Sequence, residues 1–244
     1  MKSMIKKMLQ HTLGFERYLF IFSLFIIKTL RWNKNERDFI HFLHMIPDGG
    51  IVLDIGANIG VMSVWFGKKL KLSEIYAFEP IPQNVKTLKR VLRHFKIQNV
   101  AVIEKAVGNT NGTVQMVMPV LGKVKMQGLS HVMHETITDF NEGNRYSAPI
   151  ITIDSFENIN KSGKTLTAIK LDVENFEFYV LEGAKETIQK HRPLIYTELW
   201  ENSNRNNCFK FIRAQGYKVC VLVQHELVAF DPLQHTTQNF FFVP

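Results

Sequence analysis

The sequence predicts an α/β fold, a doubly wound and mostly parallel sheet with helices on both faces, on two observations. Short β-branched runs alternate with helical patterns along most of the chain. The clearest run, Ile51-Val-Leu-Asp-Ile55, is apolar almost without a break, as in a strand buried on both faces. With 45% hydrophobic and 21% charged residues, the composition is globular and excludes disorder, collagen and coiled coil. A length of 244 residues suits one large domain, or one domain carrying an arm.

Taken in order, the strand over 51–55 leads to a helix over 61–70 and a second strand over 74–78. A helix over 84–94 follows, with Val85, Leu88, Val91 and Leu92 on one stripe. Residues 100–103 read as a third strand, and 113–118 alternate as an antiparallel one. Residues 119–149 break the rhythm. Pro119, Gly122, Gly128, Gly143 and Pro149 punctuate a polar stretch that reads as a long loop, a lid or insertion, and loops of that length are usually functional. Beyond it come strands over 150–153 and 167–171, a helix over 176–191, and a strand over 193–197. A helix over 208–215 is closed by Gly216, and strands over 217–223 and 239–243 complete the chain. The main domain is expected over 46–244, behind an amino-terminal helical arm over 1–45.

The net charge of +8 is uneven. Residues 1–38 hold eight Lys and Arg against Glu16, Glu36 and Asp38, so +5 of the +8 sits there. A globally basic nucleic-acid surface is therefore not supported. Within the arm, residues 18–27 form a ten-residue, mostly apolar run stopped by Lys28 and Arg31. A spanning helix needs about 20 such residues, and no small-residue cleavage site follows as a secretory signal would require. Three readings stay open: a helix packed on the domain or on a second subunit as in a homodimer, a basic amphipathic helix on an anionic membrane surface, and a single-span anchor. Only Cys208 and Cys220 occur, which excludes a disulfide scaffold and points to a reducing compartment, hence a cytoplasmic protein with membrane contact at its inner surface left open.

In such sheets ligands bind beyond the carboxyl ends of the strands. The first strand ends Asp54-Ile55-Gly56-Ala57-Asn58-Ile59-Gly60 and enters a helix. The glycines allow a tight turn and close backbone approach, and Asn58 tolerates a left-handed conformation. Strand, turn and helix amino terminus form a nucleoside-type cradle. The dinucleotide pattern G-x-G-x-x-G is absent, since positions 58 and 61 are Asn and Val. The second strand ends in Glu79, 19 positions after Gly60, where an acid accepts hydrogen bonds from ribose hydroxyls. Glu104, beside Lys105-Ala106, is a candidate for an adenine amino group or a solvated residue. Asp172 and Glu174 flank the end of the strand over 167–171, and Glu198 ends the next. Acids at so many strand ends tell against a pyrophosphate cofactor. They suit a cationic nucleoside such as S-adenosyl-L-methionine, with its sulfonium, ammonium and ribose diol.

Asp54-Ile-Gly-Ala-Asn-Ile-Gly60, Phe78-Glu-Pro80, Ile153-Asp154-Ser155, Lys170-Leu-Asp-Val-Glu174 and Pro193 through Glu198 occur in that order. Together they resemble the FkbM family of class I S-adenosylmethionine-dependent methyltransferases over residues ~50–200. The resemblance implies a seven-stranded Rossmann-like sheet with the last strand antiparallel, and methyl transfer to a hydroxyl of a glycan or small natural product. It also implies that Asp54, Gly56, Asn58 and Gly60 cradle the methionine part and that Glu79 holds the ribose; Ala57, Glu104 and Ala106 join them as cofactor-binding candidates by their place beside these strand ends. Position 175 departs from the family's glycine, and Asn can take its left-handed place.

Methyl transfer from a sulfonium is an in-line displacement in which the protein supplies alignment and a dry site. A hydroxyl acceptor also benefits from a general base. Asp172 and Glu174 are the first candidates, Glu198 the next. His131 and His134 are three apart, which would place them on one helix face; a metal or base role stays open, but they match neither zinc-hydrolase pattern, so solvated or substrate-touching lid histidines are expected and no metal site is assigned. Lys123, Lys125 and Arg145 are candidates for an anionic acceptor or a wetted loop. Two rival functions remain: a nicotinamide-dependent oxidoreductase on a similar sheet, and a non-catalytic membrane-surface module keeping a vestigial cofactor fold.

Overall fold

Strand β1 (Ile51–Ile55) is buried at every position, so it needs a strand on each side and a layer over each face. The computed structural model describes residues 2–244, and side chains from residue 6 onward. After three arm helices, α1 (Lys2–Leu13), α2 (Phe15–Thr29) and α3 (Arg37–Met45), β1 opens a βα series. It continues through α4 (Val61–Lys69), β2 (Glu74–Phe78), α5 (Pro82–His94) and β3 (Val100–Ile103). A strand-rich excursion follows: β4 (Ala106–Val107), β5 (Gly112–Leu121), β6 (Val124–Lys125), β7 (His131–Val132) and β8 (Gly143–Ile151). The chain then runs through α6 (Asn158–Lys161), β9 (Leu166–Leu171), α7 (Glu177–Glu182), α8 (Lys185–His191) and β10 (Leu194–Glu198). Finally come α9 (Ser203–Ala214), β11 (Lys218–Val223), β12 (Glu226–Ala229) and β13 (Asn239–Val243).

The main sheet has the order β12-β11-β13-β10-β9-β1-β2-β3. β3, β2, β1, β9 and β10 pair in parallel, and β13 runs antiparallel to both β10 and β11. That is the expected seven-stranded arrangement with one addition, the edge strand β12. Its hairpin with β11 turns on Gln224 and His225, both left-handed, without the Asn or Gly that normally signals such a turn. Strand order reverses between β1 and β9, so a crevice opens there beyond their carboxyl ends.

Residues 119–149 are not the expected loop. β5 and β8 pair antiparallel from Gly112↔Ile150 to Pro119↔Gly143, with β4, β6 and β7 alongside in a second sheet. Its backbone groups are satisfied by partners distant in sequence, which a local reading of a polar, glycine-punctuated stretch does not register. The expected helix over 176–191 is also two helices. A Cβ on Gly183 would stand 2.0 Å from the Gly108 carbonyl oxygen, so the chain passes close there and kinks. The Asp154 carboxylate then accepts from the amides of Glu186 and Thr187 at 3.1 and 2.8 Å, capping α8.

Within the arm, α2 lies against α4 and α5. The Trp65 indole donates to the Ile27 carbonyl at 3.2 Å, Lys86 pairs with Glu16, and the Arg90 guanidinium stacks 3.7 Å over Phe20. Phe39 and Phe42 of α3 pack on Phe66 and Tyr196 under the sheet. No helix among the described residues is long and apolar enough to cross a membrane.

Candidate functional site

The turn leaving β1 has three left-handed residues, Gly56 (φ 77°), Asn58 (φ 50°) and Gly60 (φ 83°). A side chain at Gly56 would place its Cβ 1.9 Å from the Asp172 carbonyl oxygen, and one at Gly60 would strike Leu88 of α5. Glycine is thus required by contact as well as by φ. Ala57 is buried, and its amide shares the Phe78 carbonyl with that of Gly56. Glu79 is fastened to this turn. Its Oε2 accepts from the Asn58 amide at 2.8 Å, and its Oε1 from the Ile81 amide at 2.9 Å and Asn84 Nδ2 at 3.2 Å. Three donors leave about one acceptor position of the carboxylate free. Burial pushes Glu79 up to about 7 against the pull of those donors.

Lys170 sits between Asp54 and Tyr196 in the register of the sheet. It is buried, donates to the Gly56 carbonyl at 3.0 Å and to Asp172 Oδ2 at 3.2 Å, and stands 3.7 Å from Asp54 Oδ1. Burial alone would lower its pKa; Asp172 and Asp54 reverse that and hold it a cation. Asp54 Oδ2 accepts from Ser63 Oγ at 2.5 Å. Lys170 therefore ties the glycine turn to the end of β9.

Beyond Asp172 the backbone is left-handed at two successive residues, Glu174 (φ 55°) and Asn175 (φ 73°). The Asn at 175 takes the expected conformation; at Glu174 the same conformation stores strain. Glu177 anchors the loop, accepting from the Val173 amide at 3.0 Å and from Asn204 Nδ2 at 2.7 Å. Burial, then Asp172 and Glu177, push Glu174 up to about 9. Burial, then Asp172, push Glu198 up to about 7. These acids repel one another around a single cation.

Two openings flank the turn. One, about 570 Å³ of open space, is lined by Gly56, Asn58, Glu79, Ala106 and Asp172, with Met116 and Val132 of the second sheet and Gln127 of the 3-10 turn between β6 and β7 as its far wall. The other, about 1170 Å³, lies between the arm and the ends of β9 and β10; Lys34, Glu36, Asp38, Asp172 and Glu198 line it, with the buried Lys170 and Tyr196 at its floor. Three buried acceptor atoms on residues lining the first opening have no hydrogen-bond partner among the described residues: Asn58 Oδ1, Asn84 Oδ1 and Gln127 Oε1. Unpaired buried acceptors cost about 1–3 kcal/mol each, so the site fits a ligand rich in N–H and O–H donors and in positive charge.

The expected residues mostly converge. Gly56, Asn58, Glu79, Ala106, Asp172 and Glu174 line the first opening, and Glu198 the second. Gly60 and Ala57 shape the turn from behind. Glu104 does not converge: it is exposed and ion-paired to Lys89, outside the cavity lining. His131 and His134 share no helix. His131 is buried in β7, bonded to the Leu129 carbonyl and Asn141 Oδ1, while His134 packs on Tyr179 in the following loop. Lys170, Asn84, Gln127, Glu36 and Asp38 were missed. A lysine inside the apolar run Ala168-Ile169-Lys170-Leu171 was a readable signal; the others arrive from segments far away in sequence.

Comparison with known proteins supplies the rest. The family described as "Methyltransferase FkbM domain" matches residues 54–219, more than half of the chain. A curated relative, Methyltransferase 1 of Beauveria bassiana (strain ARSEF 2860), is 23% identical over 189 residues, covering 72% of this chain and 75% of its own. A solved structure, methyltransferase FkbM from Methylobacillus flagellatus KT, superimposes with a TM-score of 0.52 at 17% identity. That match covers 80% of this chain and 44% of the other, so this chain spans less than half the length of that protein.

Proposed function

The chain belongs to the FkbM methyltransferase family, and we propose that it transfers a methyl group from S-adenosyl-L-methionine to a hydroxyl of a glycan or small natural-product acceptor. The family's methyl donor is S-adenosyl-L-methionine. When bound, it supplies an electrophilic methyl group on a positively charged sulfur. One observation carries the reading: Glu79 is bonded to the very turn, Gly56 through Gly60, that approaches the ligand, and the buried acceptors around it lack partners.

In this reading Glu79 and Asn58 hold the ribose, and Ala106, with the apolar wall of Met116 and Val132, borders the base. Gly56 and Asp54 border the methionine part. Lys170 fixes the distance between the turn and Asp172 and so positions that carboxylate. The acceptor enters the second opening, where hydroxyl groups find Glu36, Asp38, Glu198 and the Tyr196 hydroxyl. Glu198 is the favoured base, because at about 7 it gives up its proton near neutral pH while Glu174, at about 9, keeps its own. Asp172, paired with Lys170, is the orienting group rather than the base.

Calorimetric titration with S-adenosylhomocysteine tests the donor assignment, with micromolar binding expected. Absence of heat at high ligand would remove it. Mass spectrometry of hydroxylated and amine-only acceptors incubated with S-adenosylmethionine tests the acceptor class. Methylation confined to the amine-only set would overturn O-transfer while leaving the donor site intact.

A further inference from the structure

The apolar run of the arm divides between two sides of α2. Tyr18, Leu19, Ser23 and Ile27 are buried against the domain. Phe22 and Ile26, with Leu30 just beyond the helix, border a crevice that leads to Gly56, Asn58 and Asp172. The opposite side carries Ile21, Phe25 and Trp32, which are 51%, 62% and 66% exposed. Arg17 and Lys28 share that stripe at helical spacing, and the Arg31 guanidinium stacks 4.2 Å from the centre of the Trp32 ring. A large aromatic and a cation presented together suit the boundary between lipid headgroups and acyl chains.

The acids of the arm settle what covers this stripe. Glu16 turns toward α5 and pairs with Lys86, while Glu36 and Asp38 line the inner opening beside Lys170 and Glu198. Glu16 and Glu36 thus face away from the stripe; Asp38 also borders the opening that Arg31 lines, together with Lys34 and Arg37, so the outward charge of the stripe stays positive. A second copy docked there by twofold symmetry would set Arg17, Lys28 and Arg31 against the same cations, with Asp38 at the edge of the stripe already shared among Arg31, Lys34 and Arg37. Anionic headgroups answer them directly. At 15 residues α2 is about 22 Å long, short of the ~30 Å hydrocarbon core, so it lies on a bilayer rather than through it.

We propose that the stripe formed by Arg17, Ile21, Phe25, Lys28, Arg31 and Trp32 docks on an anionic lipid bilayer, with the aromatics set at the headgroup boundary. The inference stands apart from the chemistry of the cleft and needs no methyl transfer to be read. It also places the crevice lined by Phe22 and Ile26 on the other side of the docked helix.

The test is sedimentation of the full chain with vesicles of phosphatidylcholine alone, or of phosphatidylcholine with about one-third phosphatidylserine. Binding to the anionic vesicles at least about 10-fold tighter is expected, weakening as salt is raised to about 0.5 M. Phe25→Ser with Trp32→Ser lowers that binding by about 10-fold or more. Lys28→Gln with Arg31→Gln lowers it by roughly fivefold per charge. All four positions are exposed, so these variants fold, and S-adenosylhomocysteine binding and circular dichroism remain those of the parent. Equal affinity of parent and variants for anionic vesicles overturns the proposal, as does absence of vesicle binding. So does light scattering that shows a dimer lost in the Phe25→Ser, Trp32→Ser variant, which would assign the stripe to a second copy.

Discussion

The glycine turn and the acidic opening next to it are built on opposite principles. The turn, Asp54 through Gly60 with Glu79, is made of backbone held by backbone, and each carboxylate has close donors. The acidic opening is made of side chains brought from the arm, β9 and β10, with Glu36, Asp38, Asp172 and Glu198 crowded around Lys170. The amides of Gly56, Ala57, Asn58 and Gly60 and the Glu79 carboxylate are paired within the protein, while Asn58 Oδ1 has no partner among the described residues. The opening is electrostatically incomplete and awaits a partner. A site with this division recognises one invariant ligand with its frame and leaves the other ligand to charge and shape.

If the turn is a frame, its largest sensitivity is to a single methyl group. Gly56→Ala sets a Cβ 1.9 Å from the Asp172 carbonyl oxygen at a φ of 77°. The expected cost is at least about 4 kcal/mol in urea unfolding, with S-adenosylhomocysteine binding lost. A variant that unfolds at the parent's urea midpoint would mean that β1 and β9 are not held this close. Glu198→Gln addresses the opening instead. With any acceptor that turns over, kcat falls about a hundredfold and the rise of rate with pH near 7 disappears, while the S-adenosylhomocysteine Kd is unchanged. A parent-like pH profile in that variant would take the base role away from Glu198. Glu79→Ala sharpens the frame: about 30-fold weaker S-adenosylhomocysteine binding is expected from calorimetry, with Glu79→Gln intermediate because the amide oxygen still accepts from the Asn58 amide.

The same division decides what could be read from sequence. The turn is seven consecutive residues, and its left-handed positions demand Gly or Asn, so Gly56, Asn58 and Gly60 announce it. Glu79 and Asp172 follow because parallel strands end at one edge. Little of the acidic opening is local. Glu36 and Asp38 reach it only because Phe39 and Phe42 fold α3 under the sheet onto Tyr196 and Phe66. Met116 and Val132 reach the first cavity through a second sheet paired across about thirty intervening residues, and Gln127 through the 3-10 turn that this sheet carries. The β11–β12 turn uses Gln224 and His225 at positive φ, residues that carry no turn signal, and the β5–β6 turn adds Lys123 to Gly122, which signals it alone. Gly183 kinks its helix for the sake of Gly108, which no neighbouring residue reveals.

The smallest expected effect tests whether the acids around the turn and the two openings are kept protonated by burial and, for Glu174 and Glu198, by Asp172 beside them. Glu174, Glu198, Glu79 and Glu177 all hold protons to higher pH in the folded chain than a free glutamate does, at about 9, 7, 7 and 7. Above about 4.3, the ordinary glutamate value, the unfolded chain has already released those protons while the folded one keeps them. The folded state binds more protons, so unfolding free energy must fall as pH rises through this window. The ligand-free protein should lose Tm steadily from pH 5 to 7 and more gently to 9. Glu174→Gln deletes the widest of these contributions without changing the left-handed backbone demand at 174. Its Tm should match the parent at pH 5 and exceed it by about 2–4 °C at pH 8 by calorimetric scanning. S-adenosylmethionine, with its sulfonium, should flatten the parent's decline more than the uncharged thioether of S-adenosylhomocysteine, because only the former answers the excess negative charge. Parallel Tm curves for parent and variant would show that Glu174 is solvated, and that the repulsion around Lys170 is already balanced without a ligand.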